Sequence, residues 1–149
     1  TQVRENASYI LTYFLGNPTE IEQKYVHEFA QKHNCKIIEL NNVENEYYTK
    51  VGPIEFVWLI ENAKFVFADS YHASVFSIIM HTDFTLFERR SSLGSMNTRM
   101  ETLFKQFDLK SSLTLEDGAE PEVLNFGLLD DRITRLKRDS VEWLDLAMK

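Results

Sequence analysis

The stretch Gly52–Glu88, GPIEFVWLIENAKFVFADSYHASVFSIIMHTDFTLFE, decides the fold. It reads as helix, strand, a polar turn at Asp69-Ser70-Tyr71-His72, helix and strand. Pro53 opens a helix that runs to about Asn62. Its apolar residues Ile54, Phe56, Val57, Trp58, Leu59 and Ile60 leave little polar face, so burial of most of the helix is expected. Lys64–Ala68 is the strand, Ser70 the cap of a helix over Tyr71–His81, and Asp83–Phe87 the next strand. The turn thus joins the carboxyl end of a buried strand to the amino terminus of a helix. Ligands of open parallel α/β sheets collect at such places. A titratable imidazole there, beside a helix dipole that favours anions, is a candidate for chemistry on a charged substrate.

The segments before this stretch repeat the alternation. Tyr9–Leu15 (YILTYFL) is a continuous apolar run, as a fully buried parallel strand requires. Gly16-Asn17-Pro18 breaks it, with Asn17 as the expected N-cap and Pro18 at the first helical position. Thr19–His33 follows as an amphipathic helix with Ile21, Tyr25, Phe29 and Ala30, and Val26 beside them, on its inner face. Cys35–Leu40 is a strand and Asn41–Lys50 a loop. Beyond the central stretch, Glu88–Ser95 is a charged loop and Met96–Phe107 an amphipathic helix. Ser111–Gly127 is irregular. Leu128–Met148 is a closing helix, with Ile133, Leu136, Trp143, Leu144 and Ala147 expected on a buried stripe. Strands alternating with helices predict a single α/β domain over residues 1–149, three-layered and Rossmann-like, with a short parallel sheet. Right-handed crossovers would bring Gly16-Asn17, Asn41–Lys50, Asp69–His72 and Glu88–Ser95 to one rim.

Composition narrows the classes. At 149 residues and 44% apolar, with 11 Phe and 6 Tyr, the chain can bury one sizeable core. A net charge of −7 argues against nucleic acid as a partner. No run is apolar enough to span a bilayer, and the opening residues do not read as a secretory leader. One cysteine, Cys35, excludes an internal disulfide and is expected to be a small buried hydrophobe. No His, Asp or Glu set has ligand spacing, so no metal is expected. Together these point to the cytoplasm. The chain opens at Thr1 and reaches its first strand almost at once, so an excised domain is expected, with the missing part on the amino side.

The rim residues carry two readings each. His72 is either an anion-bridging group at the second position of its helix or a hydrogen-bonded structural histidine. Ser70 caps and is also a candidate substrate-binding residue, and Asp69 orients His72 or bonds nearby backbone. A Ser-His-Asp triad is disfavoured, because residues this close in sequence do not reach the required geometry. Arg89 and Arg90 follow a strand and offer bidentate recognition of carboxylate or phosphate, or are a solvated basic pair. Arg99 lies in the first turn of its helix, where a cation opposes the dipole. A ligand, Glu88 or Glu101 would satisfy it. Asn97 and Ser95 are cap candidates at the same helix start. Tyr47 and Tyr48 are stacking candidates or loop packing. His27, His33 and His81 read as surface or edge residues.

Three segments together carry a resemblance: GPIEFVWLIENAKFVFADSYHASVFSII, then FTLFER, then SMNTRMETLF. They resemble the carboxyl-terminal half of the polysaccharide pyruvyl transferase family, over roughly Tyr9 to Phe107. The D-S-[FY]-H-[GA] turn followed by S-M-N-x-R makes a fairly specific pair. The resemblance implies a two-domain enzyme of the GT-B type with its site in the interdomain cleft. It implies transfer of a pyruvyl group from phosphoenolpyruvate to sugar hydroxyls of a surface glycan or its lipid-linked precursor, which would bring peripheral contact with a membrane. No cofactor beyond that donor is implied. His72 matches the family's histidine, Arg99 and Asn97 its S-M-N-x-R motif, and Arg89 the end of the following strand. Ketal formation needs proton transfer, which an imidazole supplies, and cations for the donor's phosphate and carboxylate. Ala73 stands where the family often has glycine. Without the other half, the chain alone is expected to bind weakly and to be inactive. Two other classes share the architecture: a glycosyltransferase using a nucleotide sugar, and a non-catalytic ligand-binding domain.

Overall fold

Four short β-branched and aromatic runs pair into one parallel sheet. A computed structural model describes residues 8–42, 50–87, 89, 96–109, 121 and 123–148, the side chains of Met96 and Asn97 excepted. The strands are β1 (Tyr9–Tyr13), β2 (Lys36–Leu40), β3 (Val66–Ala68) and β4 (Phe84–Leu86), in spatial order β2-β1-β3-β4. Leu11 pairs with Ile38 on one side and Val66 on the other, and Val66 with Phe84. The chain passes from β1 outward to β2, then returns past β1 to β3. This reversal makes the gap between the carboxyl ends of β1 and β3 the topological switch point, where a crevice opens.

Alternation along the strands sorts side chains between two layers of helices. Ile10, Phe67 and Phe87 face α1 (Glu20–Lys32) and pack on its Val26 and Ala30. Phe67 is fully buried there, with ring centroids of Phe65 at 4.8 Å, Phe29 at 5.2 Å and Phe87 at 6.0 Å. Leu11, Val66, Ala68 and Leu86 face the other way. They meet α2 (Pro53–Asn62) through Leu59 and Ile60, and α3 (Tyr71–Ile79) through Ala73 and Ile78. Met100, Leu103 and Phe104 of α4 (Met96–Phe107) and Leu129 of α5 (Phe126–Ala147) complete that face. The result is the three-layer, Rossmann-like α/β arrangement that the alternation predicts.

Several local expectations change. The strands are shorter than the apolar runs: β1 stops at Tyr13, where the chain leaves the ladder for the rim, and β3 begins only at Val66. The α1 cap is Thr19 rather than Asn17. Its hydroxyl accepts from Glu22 N, while Glu22 Oε2 accepts from Thr19 N at 2.6 Å, a reciprocal capping box that places Pro18 outside the helix. Ile21 then points outward. In α2 only Leu59 and Ile60 are buried. Ile54 is 83% and Trp58 57% exposed, so an apolar sequence does not make this helix a buried one. In α3 the spacing of Tyr71, Val75, Ile78 and Ile79 predicts one shared face, but Ile79 is exposed. Helix α5 starts at Phe126, capped by Asn125, and departs furthest. Leu129 is buried and Ile133 packs on the core, but Trp143, at 66% exposed, Leu144 and Ala147 face away from it. The amphipathic pattern continues past the edge of what the domain offers to cover it. Cys35 is half-buried, its thiol donating to His33 O. Tyr47, Tyr48, Glu88, Arg90 and Ser95 lie outside the described residues.

Where helices stop, asparagine, histidine and aspartate take the left-handed position usually given to glycine. Asn34, His81 and Asp108 have φ of 51°, 56° and 54°. Each is followed by an amide that reaches back across the last turn: Cys35 N to Ala30 O, Thr82 N to Ser77 O and Leu109 N to Phe104 O.

Candidate functional site

The site is built on the residue that ends β3. The Asp69 side chain is only 4% exposed. Its Oδ1 accepts from Leu15 N and its Oδ2 from Gly16 N, both at 2.7 Å. Those amides lie just beyond β1, where no ladder bond reaches them. Asp69 N donates to Tyr13 O, so backbone and side chain of one residue close the ends of β1 and β3 together. A charged acceptor makes such bonds short and strong. Arg89 holds Asp69 from the β4 side: its Nη2 donates to Asp69 O at 2.9 Å and its Nε lies 3.7 Å from Asp69 Oδ2. At 11% exposed, the guanidinium is not a solvated rim charge. Its Nε has no hydrogen-bond partner among the described residues.

Ser70 follows as the cap of α3. Its hydroxyl accepts from Ala73 N, and its carbonyl accepts from both the amide and the hydroxyl of Ser74. Both Asp69 and Ser70 are therefore committed to backbone groups. The first turn of α3 contains no acidic residue, so the positive end of its dipole is not neutralised from within. The amides of Tyr71 and His72 are ones a helix cannot satisfy by its own bonds.

His72, at the second position of that turn, is exposed. With Ser70 it lines a cleft of about 480 Å³. The other walls include Tyr13 and Leu15 at the end of β1, Leu40 and Asn41 at the end of β2, Gly52, Pro53 and Phe56 at the start of α2, and Phe76 of α3. The volume suits a small organic molecule, and mostly apolar walls with a few convergent polar groups are usual for such sites. Apolar walls also strengthen any charge interaction made inside.

The structure brings Ser70 and His72 onto one cleft and joins Asp69 to Arg89, but it does not gather all the candidates. Neither arginine is among the described residues lining the cleft. Arg99 is exposed in the first turn of α4. Asn97 lies in the same turn, with its side chain outside the described residues. The walls Tyr13, Phe56 and Phe76 were legible only as core residues. The Arg89–Asp69 contact spans 20 positions, and no local pattern announces it. Among the described residues, no group of three or more His, Cys, Asp or Glu is placed to hold a metal ion, and no helix is long and apolar enough to cross a membrane.

A family model for polysaccharide pyruvyl transferase matches residues 2–91. The match takes in all four strands, Asp69, Ser70, His72 and Arg89, and stops before Asn97 and Arg99. No curated protein and no solved structure matches the chain.

Proposed function

Because the chain belongs to the polysaccharide pyruvyl transferase family, we propose that its His72 cleft receives phosphoenolpyruvate and that His72 moves the protons of ketal formation. The observation that carries this is the exposed imidazole at the mouth of a small-molecule cleft, on a helix start with unneutralised dipole. Family membership makes this a transferase of polysaccharide pyruvylation. The donor, the residue roles and the context are our reading.

In that reading the donor's carboxylate or phosphate docks at the first turn of α3. His72 delivers a proton to the C3 methylene, and positive charge develops at C2. A sugar hydroxyl oxygen bonds to C2 and gives its proton to a base. Phosphate then leaves C2, the oxygen of a second hydroxyl of the same sugar bonds there and gives its proton to the departing phosphate, and the products are the cyclic ketal and inorganic phosphate. An imidazole, which can both give and take a proton, fits either role. Ser70 shapes the helix start. Arg99, exposed on α4 with Asn97 in the same turn, is assigned to the donor's charge from across the rim. Arg89 acts mainly through Asp69. We place the chain as the carboxyl-terminal half of a bilobal, GT-B-type enzyme in the cytoplasm. Its acceptor is a surface-glycan precursor, lipid-linked and therefore presented at the membrane face, and it uses no cofactor beyond the donor.

The test uses the whole polypeptide. His72→Ala with an unchanged circular dichroism spectrum is expected to lose ketal formation by at least about 100-fold, the usual size of a general acid–base contribution. Activity within a few-fold of the parent would remove His72 from the mechanism. Calorimetric titration decides the donor: heat with phosphoenolpyruvate supports the reading, and tight binding of a nucleotide diphosphate sugar instead would replace it with glycosyl transfer.

A further inference from the structure

A second cleft opens on the other side of β1. Its volume is about 340 Å³, and it lies between the carboxyl ends of β1 and β2 and the start of α1. The two clefts share Leu40 and Asn41 as a common wall. Leu15 lines the first and Gly16 the second, and the Asp69 carboxylate holds the amides of both. One carboxylate thus sets the partition between them.

The second cleft carries a carboxylate, whereas the described lining of the first carries none. In the second, the helix start is occupied by its own carboxylate: Glu22 closes the capping box, and Glu20 adds charge in the same turn. Glu39 contributes a further acid to the wall. Among the described lining residues there is no lysine or arginine. An anion is therefore disfavoured where the His72 cleft favours one. What the second cleft does offer is hydrogen-bonding groups in fixed positions. Asn41 Nδ2 donates to Phe14 O, Asn42 Nδ2 to Glu39 Oε2 at 2.9 Å, and Gln23 Nε2 to Pro18 O. These bonds orient the planar amides. His27 adds an imidazole, and the Phe14 ring an apolar surface. Amides and a carboxylate around an apolar face can exchange hydrogen bonds with vicinal hydroxyls and pack on a pyranose's C–H surface.

We propose that this second cleft is the acceptor subsite, taking an uncharged pyranose residue of the glycan. The inference rests on the pyruvyl-transfer reading for the sugar's fate, but not for its binding. Asn41 borders both clefts, so a sugar seated against it adjoins the cleft that holds His72. Segregating the partners by charge keeps the anionic donor out of the acceptor cleft.

The experiment is a backbone amide titration of the whole polypeptide by nuclear magnetic resonance. Methyl β-D-galactopyranoside, methyl β-D-glucopyranoside and phosphoenolpyruvate serve as separate probes. The expected result is saturable shifts at Gln23, His27 and Asn42 with at least one glycoside, and none there with phosphoenolpyruvate. Gln23→Ala combined with His27→Ala, both exposed positions on α1, is expected to weaken glycoside binding at least fivefold while preserving the remaining spectrum. Glycoside shifts confined to the His72 cleft, or no shifts with either glycoside, would overturn the assignment. In the whole polypeptide the same double variant should raise the acceptor KM at least fivefold and leave the donor KM unchanged. Binding without any ketal product would leave the saccharide site standing and sink only the pyruvyl-transfer reading.

Discussion

Replacing Asp69 with asparagine tests the physical premise of both clefts. The carboxylate accepts two short bonds from Leu15 N and Gly16 N, and it is almost wholly buried, so solvent does little to screen it. Asparagine keeps one acceptor oxygen and turns an NH2 group toward the other amide, a donor facing a donor. One charge-assisted bond is lost, at about 1.5–3 kcal/mol, and the amide left buried without a partner adds about 1–3 kcal/mol. Arg89 also loses the counter-charge near its Nε while its bond to Asp69 O persists. Removing one partner of a buried ion pair costs about 3–5 kcal/mol, overlapping with the first two costs rather than adding to them. The expected destabilisation is therefore about 3–5 kcal/mol, a large part of the roughly 5–15 kcal/mol that holds a domain together. Urea unfolding followed by circular dichroism measures it. Amide hydrogen exchange at Leu15 and Gly16 should accelerate more than exchange at Ile10 or Phe67. In the double variant Asp69→Asn, Arg89→Met, the cost should be less than the sum of the single costs, because no uncompensated cation remains. A loss below about 0.5 kcal/mol, the range of an ordinary surface substitution, would refute the claim that this carboxylate closes the strand ends.

Other outcomes follow from the same contacts. Trp143→Ser should change stability by less than about 0.5 kcal/mol, whereas Leu129→Ala, on the same helix but buried, should cost about 2–5 kcal/mol by chemical denaturation. Equal losses would place the distal half of α5 in the core. Thr19→Ala removes one arm of the α1 capping box and should cost about 1 kcal/mol in the same assay. Tyr9 donates its phenol to Leu59 O, and burial pushes its pKa up from 10.0 to about 12. The folded state therefore holds this proton more tightly than the unfolded chain. That contribution is complete below pH 10.0 and drains away as pH rises toward about 12. Tyr9→Phe should flatten the stability profile across that window, and an unaltered slope would show that the phenol is not the titrating group.

The order of elements, the parallel sheet and the turn that carries His72 were legible in the chain because each is a local pattern. Apolar runs of strand length, a cap residue before a periodic segment and a polar break between them need no knowledge of distant neighbours. The same locality explains the failures. Ile54, Trp58 and Trp143 are apolar at helical spacing, yet burial depends on whether another layer covers that face, and periodicity reports only that a face exists. The Thr19 box won over Asn17 because Glu22 reciprocates, a choice made by two side chains at once.

By itself, the sequence determined the kind of fold, the helix that starts at Ser70 and the imidazole placed two residues into it. Only the tertiary structure decided that Asp69 grips Leu15 and Gly16 across 54 and 53 positions, that Arg89 turns inward to that pair, and that two clefts, one lined by Glu39 and the other by His72, meet at Leu40 and Asn41. The physical reason is that strand order sets which chain ends become neighbours. Hydrogen bonds and charges act over a few ångströms of space, whatever the distance along the chain.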